Sequence, residues 1–342
     1  MARKRMVQAI QDALAEEMER DPRVVVFGED VEASMFGETA GLRDRFGMER
    51  VRNTPISEAL ISGMAVGAAA AGYRPVCHLM YGNFIYTGFD AIANQAAKLR
   101  YMTGGQVKLP LVYMGVIGGG KSTAAQHSDC IYPALMNLGG VKVVVASEPA
   151  DAKGLLKAAI RDDNPVVFLQ AAGRSREQYL VPDEDYVVPL GRAAIKRQGR
   201  DITIIAIGAM VKQALIAANE LASLGIEAEV LDPRTLFPLD EEAILVSVWK
   251  TGRLIVVDEA HNTCGAASHI SAIAAERAFS ALKGPVRRLT VEDVAMPFSP
   301  PLEEALRPGK RDIVQAALAM VHAGGGQVRT PHQRRDESHA PS

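Results

Sequence analysis

MGVIGGGKSTAAQHSDC, Met114 to Cys130, admits two readings that lead to different folds. Gly115, Gly120, Lys121 and Ser122 satisfy G-x-x-x-x-G-K-[ST], the loop whose backbone amides wrap a nucleotide phosphate, and the apolar run LPLVYM that leads into it has strand character. Much later LIVVDEAH, Leu254 to His261, offers an apolar strand ending in Asp258 and Glu259, the form of a second ATPase motif. A phosphate loop needs a helix that starts at its Lys-Ser, so that the amino end faces the phosphates. Here TAAQHSDC has weak helical periodicity. The second motif also lies beyond a break in the chain's rhythm, so its strand is not expected beside the first in one sheet. With 30 glycines in 342 residues, a chance match in a glycine-rich loop is unsurprising. The stretch is therefore not expected to be a phosphate loop.

Around this loop, short β-branched runs alternate with helical patterns: RVVVFGED, YRPVCHLM, LPLVYMG, VKVVVAS and NPVVFLQ, then DITIIAIG, IEAEVLD and RLIVVDEA. Such alternation predicts an α/β fold with parallel sheets flanked by helices. The rhythm stops between about Ala172 and Gly191, a charged stretch containing Pro182 and Pro189. Residues 1–180 are thus expected to form one domain, 181–190 a linker and 191–324 a second domain. Residues 325–342 lack apolar periodicity and read as a disordered tail. The 38 Lys and Arg balance 40 Asp and Glu without clustering, which argues against a nucleic-acid partner. No apolar run reaches the roughly 20 residues of a membrane span, and the charged amphipathic start does not read as a signal peptide. Cys77, Cys130 and Cys264, odd in number and widely spaced, fit reduced thiols in a cytoplasmic protein.

Two helical stretches bear on mechanism. Ser57–Gly72 is small and apolar on every face except its start, where Thr54 or Ser57 can cap it; burial and close approach by another helix are expected. Thr87–Met102 is similarly poor in charge over its first turns, and together they suggest a large subunit interface. Glu58 opens the first of them. A carboxyl group there is either a helix-start residue favoured by the dipole or a functional acid whose burial raises its pKa.

FGEDV, RVRNTPISEALISGMAVGAAAAGYRPV, AAKLRYMTGGQ, QHSD, DAKGLLKAAIRDDNPVVFL, EVLDPRTLFPLD and KTGRLIVVDEA together resemble the beta subunit of the thiamine-diphosphate-dependent decarboxylating component of 2-oxo acid dehydrogenase complexes, of the pyruvate, branched-chain 2-oxo acid and acetoin types. The likeness runs in order from about residue 5 to 322. It implies a pyrimidine-binding domain followed by a transketolase C-terminal-like domain. It implies that Glu58, in T-P-I-S-E, hydrogen-bonds the aminopyrimidine of thiamine diphosphate and so activates the cofactor. Phe84, otherwise plain core, corresponds to the aromatic that stacks on that ring, and His127, otherwise a surface residue, to the histidine that helps reductive acyl transfer to a lipoyl group. Glu29, placed at the cofactor, and Asp90 match acidic positions of a polar tunnel between active sites; the alternative for both is exposed charge.

AAIRDDNP resembles a structural potassium loop, with Asp162, Asn164 and the carbonyls of Leu111, Ala159 and Ile160 as ligands; taken alone it is a helix end and a turn. No G-D-G occurs, so Mg²⁺ and the diphosphate are expected to be held by a separate alpha chain, in an α₂β₂ assembly that docks on a lipoyl acyltransferase core and takes a small 2-oxo acid. His78, Met114, Lys121, Asp129 and Gln170 depart from the family pattern and bear on the substrate and on delivery to a lipoyl group. A split-subunit transketolase-like or carboligase enzyme without a lipoyl partner is the alternative, and a P-loop ATPase the remote one.

Overall fold

The computed structural model describes residues 1–172 and 177–322; the expected tail at 325–342 and residues 173–176 of the rhythm break lie outside them. Two parallel-rich sheets are present. The first contains β2 (Val24–Gly28), β3 (Val51–Asn53), β4 (Arg74–Tyr81), β5 (Val112–Ile117), β6 (Lys142–Ala146) and β7 (Val166–Ala171). Its seventh member, β12 (Thr235–Phe237), comes from the far half of the chain, and the order is β12-β6-β7-β5-β4-β2-β3. The second sheet takes β9 (Ala194–Arg197), β10 (Ile202–Ala206), β11 (Ala228–Asp232), β13 (Leu254–His261) and β14 (Arg287–Val291) in the order β14-β13-β10-β11-β9. β1 (Ala2–Arg5) pairs antiparallel with β8 (Gln178–Val181), Ala2 opposite Val181. The charged stretch after residue 177 thus begins as a strand and then runs along the first unit, where the Val188 amide donates to the Gly154 carbonyl at 3.0 Å.

The expected runs become strands because both faces of each sheet are covered; β5 and β7 are buried along their whole length, and Tyr113 and Phe168 are fully enclosed. α1 (Met6–Arg20) presents Met6, Ile10, Leu14 and Met18 at four-residue spacing to the core. Its other partner is α6 (Pro149–Arg161), to which it is tied by Arg161 on the buried Glu17 and by Lys153 on Glu16. Between them in sequence lie α2 (Leu42–Phe46), α3 (Glu58–Ala70), α4 (Leu99–Met102) and α5 (Tyr132–Met136). The far half adds α7 (Met210–Ser223), α8 (Glu241–Thr251), α9 (Ala266–Arg277), α10 (Pro300–Leu306) and α11 (Lys310–His322). One apolar cluster runs from Phe27 and Ile61 through Val145 and Leu169 into Ile205 and Val256, so the two sheets share a core.

Three local expectations change. The helix expected over Thr87–Met102 follows a 3₁₀ turn at Gly82–Tyr86 and is itself broken into a π turn at Ala91–Ala96 and the short α4 (Leu99–Met102). The break falls where Gly88 crosses the first turn of α3 so closely that a Cβ there would lie 2.7 Å from the Glu58 carbonyl oxygen. Ser57 stands at the N-cap of α3 without a side-chain capping bond, and Thr54 Oγ1 is buried without a partner. α3 itself is half open: Ile61, Ser62, Ala65, Val66 and Ala69 are buried, while Leu60, Gly63, Met64 and Gly67 face outward. Among the described residues no helix is long and apolar enough to cross a membrane.

In the first sheet β3 lies on one side of β2 and β4 on the other, a reversal that opens a crevice at the carboxyl ends of the strands. Gly28 ends β2 at that point with φ +148°, and a Cβ would lie 2.2 Å from the His78 carbonyl oxygen of β4. Gly28→Ala is expected to separate β2 from β4 and cost about 2 kcal/mol or more in urea unfolding; an unchanged midpoint would contradict this account of the crevice.

Candidate active site

Glu29 directly follows β2, at the mouth of the crevice. Its side chain is buried and Oε1 has no hydrogen-bond partner. Burial first, then the neighbouring carboxylates of Glu58 and Asp30, push its pKa up to about 7. Glu58 enters the same recess from the first turn of α3 and is 9% exposed. The Glu58 charge thus acts on Glu29, whose buried Oε1 is left without a donor within the chain. Asp90 does not join them: it is exposed and accepts from Asn94 Nδ2 at 2.7 Å.

The next strand contributes the rings. Near the end of β4 the chain passes through Met80 at φ +56°, and beyond Tyr81 it enters the 3₁₀ turn that carries Phe84. Tyr81 sets its edge on Phe84 at 5.7 Å and on His127 at 4.7 Å between ring centres, and Phe84 lies 5.3 Å from His127. His127 ends a short 3₁₀ turn in the loop after β5. Asn83, beside Phe84, ties that loop down from below, donating to Asp129 at 2.7 Å and accepting the Asp129 amide at 3.1 Å. Of the residues expected at the cofactor, Glu29 and Glu58 thus share one recess, Phe84 and His127 form a ring cluster, and the Gly88 crossing brings the Phe84 turn onto the helix of Glu58.

No helix begins at Lys121 and Ser122. The amides of Gly120 and Ser122, which a phosphate would take, donate at 2.8 and 3.0 Å to the carboxylate of Glu303 in α10. The strand of the supposed second motif, β13, lies in the other sheet as expected, yet its end meets this loop across the interface, since a Cβ on Gly118 would stand 2.9 Å from Glu259 Oε2. The ATPase reading fails because the anion-binding amides already hold an anion from within the chain.

At the expected potassium loop the donors are engaged. Arg74 Nη1 donates to the carbonyls of Ile160 and Asp162 at 2.9 and 3.0 Å, and Arg100 Nη1 to Asn164 Oδ1 at 2.5 Å. Asp162 pairs with Lys142 through one oxygen and accepts two bonds from Asn164 through the other. The carbonyls of Leu111 and Ala159 accept amides of Val166 and Asp162. In this arrangement Arg74, Arg100 and Lys142 supply positive charge to these oxygens.

Several departures from the family pattern also find partners. His78 is buried, accepts the Met80 amide at Nδ1 and directs Nε2 towards Glu38 at 3.8 Å; burial lowers its pKa, against Glu38. Gln170 donates to the other oxygen of Glu38. Met114 is core within β5, Asp129 binds Asn83 and Lys121 is exposed. Sequence reasoning missed Glu38, Glu303 and Arg307, since no local pattern marks a residue whose partner comes from another element.

A sheet with this strand reversal, followed by a second α/β unit, is a transketolase-type arrangement, and the match to known families agrees. Residues 3–175 match the family described as transketolase, pyrimidine binding domain, and residues 191–313 match transketolase, C-terminal domain. The chain is 43% identical over 330 residues to the beta subunit of acetoin:2,6-dichlorophenolindophenol oxidoreductase of Bacillus subtilis (strain 168), covering 92% of this chain and 96% of the relative. It is also 43% identical over 324 residues to the pyruvate dehydrogenase E1 component subunit beta of the same strain, covering 94% and 99%. A solved structure, split gene transketolase, inactive beta4 tetramer, superposes with a TM-score of 0.77 at 27% identity over 93% of this chain and 98% of that one. The chain belongs to the beta-subunit family of the thiamine-diphosphate-dependent 2-oxo acid dehydrogenases, with transketolase pyrimidine-binding and C-terminal domains.

Two measurements check the geometry. Because the folded chain holds the Glu29 proton more tightly than the unfolded chain, its contribution to stability is lost as pH rises from 4.5 to about 7. Glu29→Gln is therefore expected to be more stable than the parent at pH 8, by up to about 3 kcal/mol, with the gap in urea midpoints closing towards pH 4.5. A gap that ignores pH would contradict the buried carboxylate. Replacing potassium by tetramethylammonium is expected to leave the melting temperature unchanged, whereas a loss on removing potassium would reinstate a cation at Asp162.

Proposed function

We propose that this beta subunit supplies the pyrimidine half of a thiamine diphosphate site completed by an alpha chain in an α₂β₂ assembly, which oxidatively decarboxylates a small 2-oxo acid and passes the acyl group to a lipoyl carrier. One observation carries this reading: Glu58 and Glu29 share a buried recess in which Glu29 Oε1 is left without a partner. Such a recess suits an aminopyrimidine, a flat group with ring nitrogens and an amine, and the half-buried Phe84 ring next to it suits stacking. The bound cofactor supplies the nucleophilic carbon and the electron sink for decarboxylation.

The chain's own residues have separate tasks in this reading. Glu58 holds or releases a proton at the pyrimidine nitrogen; its setting at a helix start, closed off by the Gly88 crossing, excludes water. Glu29 carries the neighbouring proton, with a pKa placed for exchange near neutral pH. His127, packed against Tyr81 and Phe84, would serve acyl transfer from the bound cofactor to the carrier. The outward face of α3, with Leu60, Met64 and the glycines between them, supports a close-packed partner subunit. In this reading the partner holds Mg²⁺ and the diphosphate, in keeping with the lack of a G-D-G motif here, and the three free cysteines accord with the cytoplasm.

Co-expression with the alpha chain, followed by thiamine-diphosphate-dependent reduction of dichlorophenolindophenol with pyruvate, branched-chain 2-oxo acids and acetoin, tests the assignment. Glu58→Ala is expected to lower kcat at least about a hundredfold. Phe84→Ala is expected to weaken cofactor binding by about tenfold with a smaller effect on saturated turnover. Full activity in Glu58→Ala would remove the mechanism.

A further inference from the structure

We propose that Glu303 is a positioning residue for acyl transfer: from the second domain it clamps the loop that carries His127, so the acyl-transfer geometry is set across the domain interface. The role in transfer rests on the function proposed above, whereas the clamp itself is a property of this chain.

Glu303 lies in α10 and is 4% exposed. Its two carboxylate oxygens accept separate amides of the loop, Gly120 at 2.8 Å and Ser122 at 3.0 Å. One turn on, Arg307 pairs with Glu259 at 2.5 Å and lies over the same glycines; a Cβ at Gly120, which has φ +94°, would come within 2.8 Å of its Nη1. Glu259 in turn abuts Gly118. Glu303, Arg307 and Glu259 of one domain thus grip Gly118, Gly119 and Gly120 of the other.

The grip holds a conformation the loop would not keep unaided. Ser122 and Ala124 have φ +53° and +63°, where side chains other than glycine's are strained. Two charge-assisted bonds from amides in a water-poor interface offset that strain. From there the path to the imidazole is short: Thr123 Oγ1 meets Ser128 Oγ at 3.0 Å, Ser128 Oγ donates to the Ala124 carbonyl at 2.8 Å, and His127 is wedged between Tyr81 and Phe84. Tyr132, just past the loop, is fastened to Asp258 within β13, so both flanks are tied to the second domain. Without Glu303 the loop can relax at Ser122 and Ala124, and the imidazole loses its place.

Two experiments judge this separately. In the full beta chain, hydrogen exchange of residues 118–128 is expected to quicken by about tenfold or more in Glu303→Ala while β5, β10 and α3 keep their protection; Glu303→Gln, which retains one acceptor oxygen, should show an intermediate effect. In the alpha–beta enzyme, kcat for reductive acylation of a lipoyl domain is expected to fall about tenfold or more in Glu303→Ala, with KM for that domain nearly unchanged and partial recovery in Glu303→Gln. Unchanged exchange in the loop, exchange that quickens throughout both sheets, or a loosened loop with undiminished acylation would each overturn the proposal. A parent enzyme that cannot acylate any lipoyl domain would sink the functional reading alone, because the exchange result stands without it.

Discussion

Two carboxyl groups cannot easily share a dry recess, and this fold brings Glu29 and Glu58 to one. β2 ends at the strand reversal with Gly28 pressed against β4, which fixes the backbone from which Glu29 projects. Glu58 is delivered by α3, whose first turn is crossed by Gly88. The repulsion and lost hydration that raise the Glu29 pKa are therefore paid for by the packing of the whole first sheet. An unpartnered oxygen so placed in the free chain is a group waiting for a donor from another molecule.

Much of the fold could be read from residue order, because parallel strands covered on both faces appear as plain β-branched runs; VKVVVA and LIVVDEA are examples. β12 was not legible as part of the first sheet. It is three residues long and pairs with β6 from the other half of the chain, so nothing local marks its destination. Thr87–Met102 has the composition of one helix, but contact between Gly88 and α3 sets the backbone there, and the periodicity of a segment contains no record of such contact.

The site divides in the same way. Glu58 stands out as an acid opening an apolar helix, and T-P-I-S-E and Q-H-S give Glu58 and His127 their roles by resemblance. Glu38 and Glu303 have no comparable signal, since each acts on an element distant in sequence. The surroundings of the AAIRDDNP segment were hidden for a related reason. AAIRDDNP has the oxygen donors of a cation site, while the positive charge arrives from Arg74 and Arg100, on a strand and a helix outside the segment. The G-x-x-x-x-G-K-S pattern was half right physically, since its amides do bind an anion, which happens to be a side chain.

β12 has a consequence for the chain's conduct before assembly. The outer edge of β6 would otherwise present unpaired amides and carbonyls beside the apolar run VKVVVA, the kind of edge that recruits strands from other molecules. Thr235–Phe237 covers it, and does so only while the second sheet is in place. A chain emerging from synthesis thus carries an adhesive edge until its far half has been made and has folded back, so the interval in which it can aggregate is set by the length of polypeptide between β6 and β12.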